Sequence, residues 1–251
     1  MIKALLARRF QKHRTIVYPK GPPQLPELFR GYPKLNPDAC IQCSRCVDAC
    51  PTGAVSCTGK LTIDLGKCLF CPECENACPH GAIKFLKDHW LAASRREDLV
   101  VDPETERKSV KALEKKMLRI FGRSLRLRQV SAGGCNACEA DINVLGTVVF
   151  DLGRFGIQFV ASPRHADGIL VTGPVTENMK AALLKTYEAI SSPKIVIASG
   201  ACAISGGPYI DSPEACNGVD GILPVDLYIP GCPPHPVTVL DGMLRLLGKL
   251  C

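Results

Sequence analysis

From Leu125 onward, short apolar runs alternate with stretches whose apolar residues recur at helical spacing. Leu125 to Val130, Ile157 to Val160, Gly168 to Val171, Lys194 to Ala198 and Asp226 to Ile229 read as strands, and helices are predicted near 137–152, 176–190 and 236–247. Strand followed by helix, several times over, predicts a mostly parallel sheet wrapped by helices, an architecture that places ligands beyond the carboxyl ends of its strands. Upstream the pattern weakens. Asp88 to Arg128 is highly charged, with a break at Asp102-Pro103, after which Val110, Leu113, Met117, Leu118 and Phe121 recur with helical spacing and predict one packing helix. At the amino end Ile2, Leu5, Leu6 and Phe10 share a helical face, with Lys3, Arg8, Arg9 and Lys12 mostly elsewhere.

Composition narrows the class. A chain of 251 residues, 46% hydrophobic and 22% charged, is long enough for one large or two compact cores and too apolar for bulk disorder. No apolar run approaches the roughly 20 residues that a membrane span needs. Fifteen cysteines would suggest disulfides in a secreted chain, but no cleavable signal is legible, and Arg8-Arg9 is followed by no apolar stretch. A reducing compartment and metal-binding thiols are the expectation. The net charge of +7 is concentrated: residues 1–34 hold eight lysines and arginines against Glu27, and the rest is balanced. That end suits anionic headgroups or an acidic partner surface, with a plain solvated helix as the alternative. The balanced body argues against a nucleic-acid partner, and Lys115, Lys116, Arg119 and Arg123 are accounted for by a solvated helix face.

The cysteines are not scattered. Cys40-x2-Cys43-x2-Cys46-x3-Cys50-Pro51 returns 28 positions later as Cys68-x2-Cys71-x2-Cys74-x3-Cys78-Pro79, and Gly53-Ala54-Val55 returns as Gly81-Ala82-Ile83. A four-iron, four-sulfide cube needs four thiolates; three closely spaced cysteines wrap one side, and in this spacing the fourth serves the other cube. Cys40, Cys43, Cys46 and Cys78 are therefore assigned to a first 4Fe-4S cluster, and Cys68, Cys71, Cys74 and Cys50 to a second. The alternative, a pair of zinc knuckles, does not call for the third cysteine or the Cys-Pro ending. Cys57 lies outside both motifs and reads as a buried spare thiol.

Four further cysteines fall where the parallel sheet would put a ligand. Cys135 and Cys138 follow the first predicted strand in Gly133-Gly134-Cys135-Asn136-Ala137-Cys138, Cys202 follows the fourth, and Cys232 follows the fifth in Pro230-Gly231-Cys232-Pro233-Pro234. Glycine precedes each loop's first cysteine or lies close before it, letting backbone approach sulfur, and a third 4Fe-4S site is expected there. Unrelated buried thiols are the alternative, since only Cys135 and Cys138 are locally diagnostic. Cys216 and Cys251 are left over. Glu139 opens a helix, where an acid is favoured by the macrodipole, with a proton-path role as the other reading. Arg164 and His165 occupy a loop, either packing locally or facing a partner. His235 is expected to cap or pack, and Gly206-Gly207 lacks a dinucleotide fingerprint.

These motifs carry resemblances. The repeat resembles the bacterial two-cluster ferredoxin family, and from Tyr18 to about Leu99, including Pro26-x2-Phe29-Arg30-Gly31, the chain resembles the ferredoxin-type subunit of complex I and formate hydrogenlyase. Residues 125–248 resemble the small subunit of membrane-associated, energy-converting (group 4) nickel-iron hydrogenases in Gly134-Cys135-Asn136-x-Cys138-Glu139, Ser162-Pro163-Arg164-x-Ala166-Asp167 and Tyr228-Ile229-Pro230-Gly231-Cys232-Pro233-Pro234. The related complex I subunit has two adjacent cysteines at the first position, so the two-residue gap here favours the hydrogenase branch. The resemblance implies an α+β bacterial ferredoxin-like domain followed by an α/β flavodoxin-like domain. The expected divisions are a basic helix and arm (1–34), the two-cluster domain (35–100), a charged linker with a helix (101–124) and the small-subunit-like domain (125–251). It further implies an oxidoreductase subunit that relays electrons through three 4Fe-4S clusters to or from a nickel-iron site on a partner large subunit. Membrane-arm subunits and an electron-donor subunit or soluble ferredoxin are the other implied partners. The implied location is cytoplasmic, peripheral on the inner face of the cell membrane. A nickel-free complex reducing quinone or polysulfide is the second reading, and a zinc-bound adaptor the third.

Overall fold

The computed structural model describes residues 2–12, 14–105 and 107–250; Cys251 lies outside them. The repeat folds as two copies of one unit. In the first, β1 (Pro33–Leu35) leads through the cysteine loop into the short helix α2 (Arg45–Asp48) and strand β2 (Val55–Ser56). In the second, β3 (Thr62–Asp64) leads into α3 (Glu73–Ala77) and β4 (Ile83–Phe85). The strands pair crosswise and antiparallel, β1 with β4 and β2 with β3, so Leu35 opposite Ile83 becomes Ile63 opposite Val55 after the same 28-position shift. Backbone geometry repeats as well. Gln42 and Phe70 both have φ of +55°, and Gly53 and Gly81 stand at +60° and +62°. A β-carbon on either glycine would meet nothing within 4 Å, so the left-handed turn asks for glycine there and space does not. β5 (Val100–Val101) adds an outer strand beside β3. Val101, the first residue of the expected linker, thus belongs to this sheet.

The second half forms a five-stranded, wholly parallel sheet from β6 (Leu125–Ser131), β7 (Ile157–Phe159), β8 (Gly168–Thr172), β9 (Ile195–Ser199) and β10 (Leu227–Ile229). Their lateral order is β7-β6-β8-β9-β10, the 2-1-3-4-5 doubly wound arrangement of flavodoxin-like folds. Both faces are covered, and residues alternate between two cores with the period of a strand. Ile169, Val171, Val196, Ala198 and Tyr228 point to one core, Leu170, Ile195, Ile197, Leu227 and Ile229 to the other.

Helix α6 (Glu177–Glu188) places Leu183 in the first core, which runs without interruption into Leu35, Ile63, Leu65, Ile83 and Leu99 of the cysteine repeat. The repeat therefore packs on one face of the sheet. On the other lie α5 (Ala137–Val144) and α8 (Pro236–Leu246), whose Val239, Leu240, Met243 and Leu244 are fully buried. α8 begins at a proline and is capped by His235, whose Nδ1 accepts from the Val237 amide at 3.2 Å. Ala93 covers the open edge of β10 with two antiparallel backbone hydrogen bonds to Tyr228.

Two expected helices are shorter than their periodicity implies. The linker helix α4 spans Lys115–Phe121; ahead of it the Lys111 amide bonds Ser94 Oγ and the Leu113 amide the Leu246 carbonyl, tying that stretch to other elements. Val110 and Leu113 reach the core from extended chain. α5 stops at Val144, where the Leu145, Gly146 and Thr147 amides each turn back three residues, to Ile142, Asn143 and Val144, and Thr147 Oγ1 also donates to the Val144 carbonyl; the chain beyond is tied to the amino end, with Ile16 donating to the Val149 carbonyl at 2.9 Å and Thr15 Oγ1 to that of Val148 at 2.7 Å. The amino-terminal helix α1 (Ile2–Gln11) forms as expected and buries none of its residues.

Candidate functional site

All three groups of cysteines assemble at turns that carry backbone amides toward sulfur. In the repeat, Cys40, Cys43, Cys46 and Cys78 line a single small cavity together with Cys57, Leu61 and Ile83. The fourth cysteine of each motif accepts from an amide four residues on: Ala54 donates to Cys50 Sγ and Ala82 to Cys78 Sγ, both at 3.2 Å. Phe70 donates to Cys68 Sγ at 3.3 Å. Such amides stabilise a thiolate and a negatively charged cluster alike.

The second group is the more enclosed. Burial pushes the thiols of Cys68 and Cys74 up to about 12, and the neighbouring Cys50 and Cys71 push the same way. Cys50, from the first motif, therefore sits among the second motif's three cysteines, as the exchange between halves requires. Cys46 is likewise raised by burial, with Cys78 and Cys40 adding to the effect.

The third group stands at the carboxyl edge of the parallel sheet. Cys135 lies on the loop after β6, Cys138 in the first turn of α5, Cys202 in α7 (Ala201–Ser205) after β9, and Cys232 after β10. Burial pushes Cys202 up to about 11 and Cys138 higher still, with the other cysteines of the group and Glu139 as the nearby negative charges. Gly200 turns into α7 with φ of +95°, and a β-carbon there would lie 2.7 Å from Cys138 Sγ. Only glycine lets β9 hand over to α7 with that sulfur in place.

Thiolates held this close repel one another. A cationic metal core removes that conflict by binding the deprotonated form, so the donor sets fit iron-sulfur clusters. Among the described residues no three His, Cys, Asp or Glu side chains are drawn around one point as a single ion would need.

Glu139 is buried below the third group at 7% exposure. Burial pushes its carboxyl up, but the hydroxyls of Ser131 and Thr172 outweigh this and hold it below its ordinary value; Thr172 Oγ1 donates at 2.6 Å. Its position in the first turn of α5 agrees with the macrodipole reading, and the two hydroxyl partners, one strand apart, had no signal in the sequence. Arg164 and His165 lie exposed in a short turn after β7, at the carboxyl edge but outside the cysteine group. Cys216 joins no group of four; its thiol donates to Glu177 Oε1 at 3.0 Å.

The repeat and the sheet meet beside the cysteines. Ser205 Oγ, in the same helix as Cys202, donates to the Gly66 carbonyl at 2.9 Å, two residues before Cys68. Asp64 accepts from the Gly66 amide and from both terminal nitrogens of Arg96, at 2.8 and 2.7 Å, which fixes the approach.

Comparison with known proteins follows the same division. Residues 135–246 match the profile of the NADH ubiquinone oxidoreductase 20 kDa subunit, and residues 39–82 that of the 4Fe-4S dicluster domain. The chain is 43% identical over 148 residues to formate hydrogenlyase subunit 7 of Escherichia coli, an alignment covering 59% of this chain and 58% of that protein. It is 42% identical over 146 residues to the probable membrane-bound hydrogenase subunit mbhJ of Pyrococcus furiosus, covering 58% of this chain and 87% of that one. An NADH-quinone oxidoreductase subunit of Phocaeicola vulgatus is 47% identical over 116 residues, 46% of this chain and 59% of that protein. The chain thus spans less than two thirds of the Escherichia coli and Phocaeicola vulgatus relatives and most of the Pyrococcus furiosus one.

Proposed function

The chain belongs to the family of the 20 kDa subunit of NADH ubiquinone oxidoreductase, and from that membership we propose that it is the electron-relay subunit of a membrane-associated group 4 nickel-iron hydrogenase complex. It is an oxidoreductase subunit related to both hydrogenases and complex I, with a 4Fe-4S dicluster segment. When bound, three 4Fe-4S clusters supply one-electron conduction toward a nickel-iron site on a partner large subunit that reduces protons or oxidises hydrogen. Cys40, Cys43, Cys46 and Cys78 hold the first, Cys68, Cys71, Cys74 and Cys50 the second, and Cys135, Cys138, Cys202 and Cys232 the third. The observation that carries this reading is the convergence of Cys135, Cys138, Cys202 and Cys232, from three separated loops, on one sheet edge.

The sequence of the relay follows from the contacts. Ser205, in the Cys202 helix, bonds Gly66 two residues before Cys68, which supports the second group as the neighbour of the third and the first group as the outer end of the relay. Amides at Cys50, Cys78 and Cys68 offset negative charge on sulfur and tune the potentials. The exposure of Cys135 and Cys232 supports a third site open to a partner surface. Domain limits at 1–34, 35–100, 101–124 and 125–251 belong to the same proposal, with 101 now in the sheet of the second segment. Among the described residues no helix is long and apolar enough to cross a membrane. Attachment to the inner face of the cell membrane therefore falls to membrane-arm subunits and the basic α1. An electron-donor subunit or soluble ferredoxin serves the first cluster.

The likeness to the NADH-quinone oxidoreductase relative favours a second reading, the same relay ending at a quinone or polysulfide site without nickel. The native complex, purified without air and assayed for iron, sulfide, nickel and hydrogen evolution, decides between them. About 12 irons per chain with nickel and hydrogen turnover are expected, and Cys135→Ser should remove one paramagnetic signal and stop turnover. Iron without nickel selects the second reading; zinc without iron or sulfide refutes both.

A further inference from the structure

The two halves of the repeat differ beside sulfur, most plainly at Cys57. Cys57 Sγ lies 3.7 Å from Cys46 Sγ and lines the cavity shared by Cys40, Cys43, Cys46 and Cys78. Moving 28 positions along, the residue in its place is Phe85, which is buried and packs against Phe70 with ring centroids 6.2 Å apart. Phe70 in turn takes the place of Gln42, whose side chain donates to the Gly59 carbonyl. One cavity thus carries a fifth thiol where its twin carries an aromatic ring.

We propose that Cys57 is a positioning residue of the first cluster: it does not bind iron, and its S–H donates to the Cys46 thiolate, raising that cluster's reduction potential. This rests on the reading that the first cavity holds a 4Fe-4S cluster. Four cysteines already satisfy its four irons, so a fifth has no coordination site to fill. An ordinary thiol is protonated at neutral pH and is a weak donor, while a cluster-bound thiolate is an acceptor only. The contact therefore has one polarity once iron is bound. Adding an electron increases negative charge on the sulfurs and strengthens the bond, so the reduced state gains more than the oxidised one. At the second cavity no such donor stands opposite Cys74, and apolar Phe85 leaves reduction less favoured. The Cys57/Phe85 difference would then contribute to a difference in potential between the pseudo-symmetric pair.

The test is a redox titration of the full chain, followed by paramagnetic resonance, with the first cluster's signal assigned by its loss in Cys40→Ser. Cys57→Ala should keep the full iron complement and lower the ratio of reduced to oxidised first cluster, at a fixed poise, about 3- to 10-fold, the effect of one hydrogen bond. Cys57→Ser, which keeps a donor, should recover much of that ratio, and the other two signals should not move. An unchanged ratio in Cys57→Ala overturns the inference, as does a serine variant that behaves like alanine. Loss of iron from the first cluster in Cys57→Ala would show a ligand instead. Absence of that signal in the unmutated chain would bring down the four-iron reading itself, and the inference with it.

Discussion

Gly200→Ala puts one methyl group against the sulfur of the third site. The added β-carbon would stand 2.7 Å from Cys138 Sγ, on a backbone with φ of +95°. Carbon and heavier neighbours settle near 3.5–4.0 Å, so the sulfur must retreat by roughly 1 Å, about twice the tolerance of a preorganised site. Rotation does not relieve the clash once the sulfur is bonded to iron. Forcing a non-glycine residue into that conformation costs about 1–3 kcal/mol, and overpacking a tight site about 1–3 more. Against a typical total stability of about 5–15 kcal/mol the chain should still fold, but the cysteine group should lose its geometry. Gly221→Ala is the control, since its φ of +81° imposes similar strain with nothing within 4 Å of the added carbon. Iron analysis and reduced-state paramagnetic resonance read the result. Gly200→Ala should lose about four irons and the third signal alone, whereas Gly221→Ala should keep both. Full iron and an intact third signal in Gly200→Ala would refute the placement of Cys138 in that site.

Removing residues 1–14 should weaken binding to anionic vesicles in a flotation assay, steeply so at low salt, with no loss of iron; unchanged binding leaves α1 without a membrane role. Tyr18→Phe should cost about 1–2 kcal/mol in urea unfolding, because the buried Tyr18 hydroxyl donates to Asp241 Oδ1 at 2.5 Å and Asp241 keeps Arg245 as its partner. Burial and the Asp241 carboxylate raise the Tyr18 hydroxyl above its ordinary value. Its contribution is thus complete below about pH 10 and is lost as pH rises beyond, since the unfolded chain ionises first. The gap between wild type and Tyr18→Phe should therefore narrow above pH 10, and a gap that widened there would contradict the assignment.

The amino-acid sequence alone determined whatever depends on neighbours along the chain. Eight cysteines at fixed spacing, with the Gly-Ala pair shortly beyond each Cys-Pro, prescribe a turn whose amides face sulfur, and that turn recurs because the residues recur. The strands at 168 and 195 were legible because a strand buried on both faces has no room for polar residues, and the strand at 125 because buried Leu125 and Leu127 flank exposed Arg126. Their alternation with helices predicts a parallel sheet, while the flavodoxin-like order was implied by the resemblance alone.

Tertiary structure decided what no local pattern encodes. Val110 and Leu113 keep helical spacing yet lie ahead of the helix, on chain whose Lys111 and Leu113 amides are held by Ser94 and Leu246. α5 ends at Val144 because the next three amides tighten onto carbonyls three residues back, and the chain beyond is tied to Thr15 and Ile16. Cys202 and Cys232, thirty residues apart in sequence, meet because β9 and β10 are adjacent and parallel, so their loops leave the sheet at one end. Cys57 reads as a spare thiol until the crosswise pairing of β2 with β3 sets it beside Cys46. Spacing specifies a ligand only when backbone of a few residues spans the site; where the partners are brought together by sheet register, the information resides in packing across the whole core.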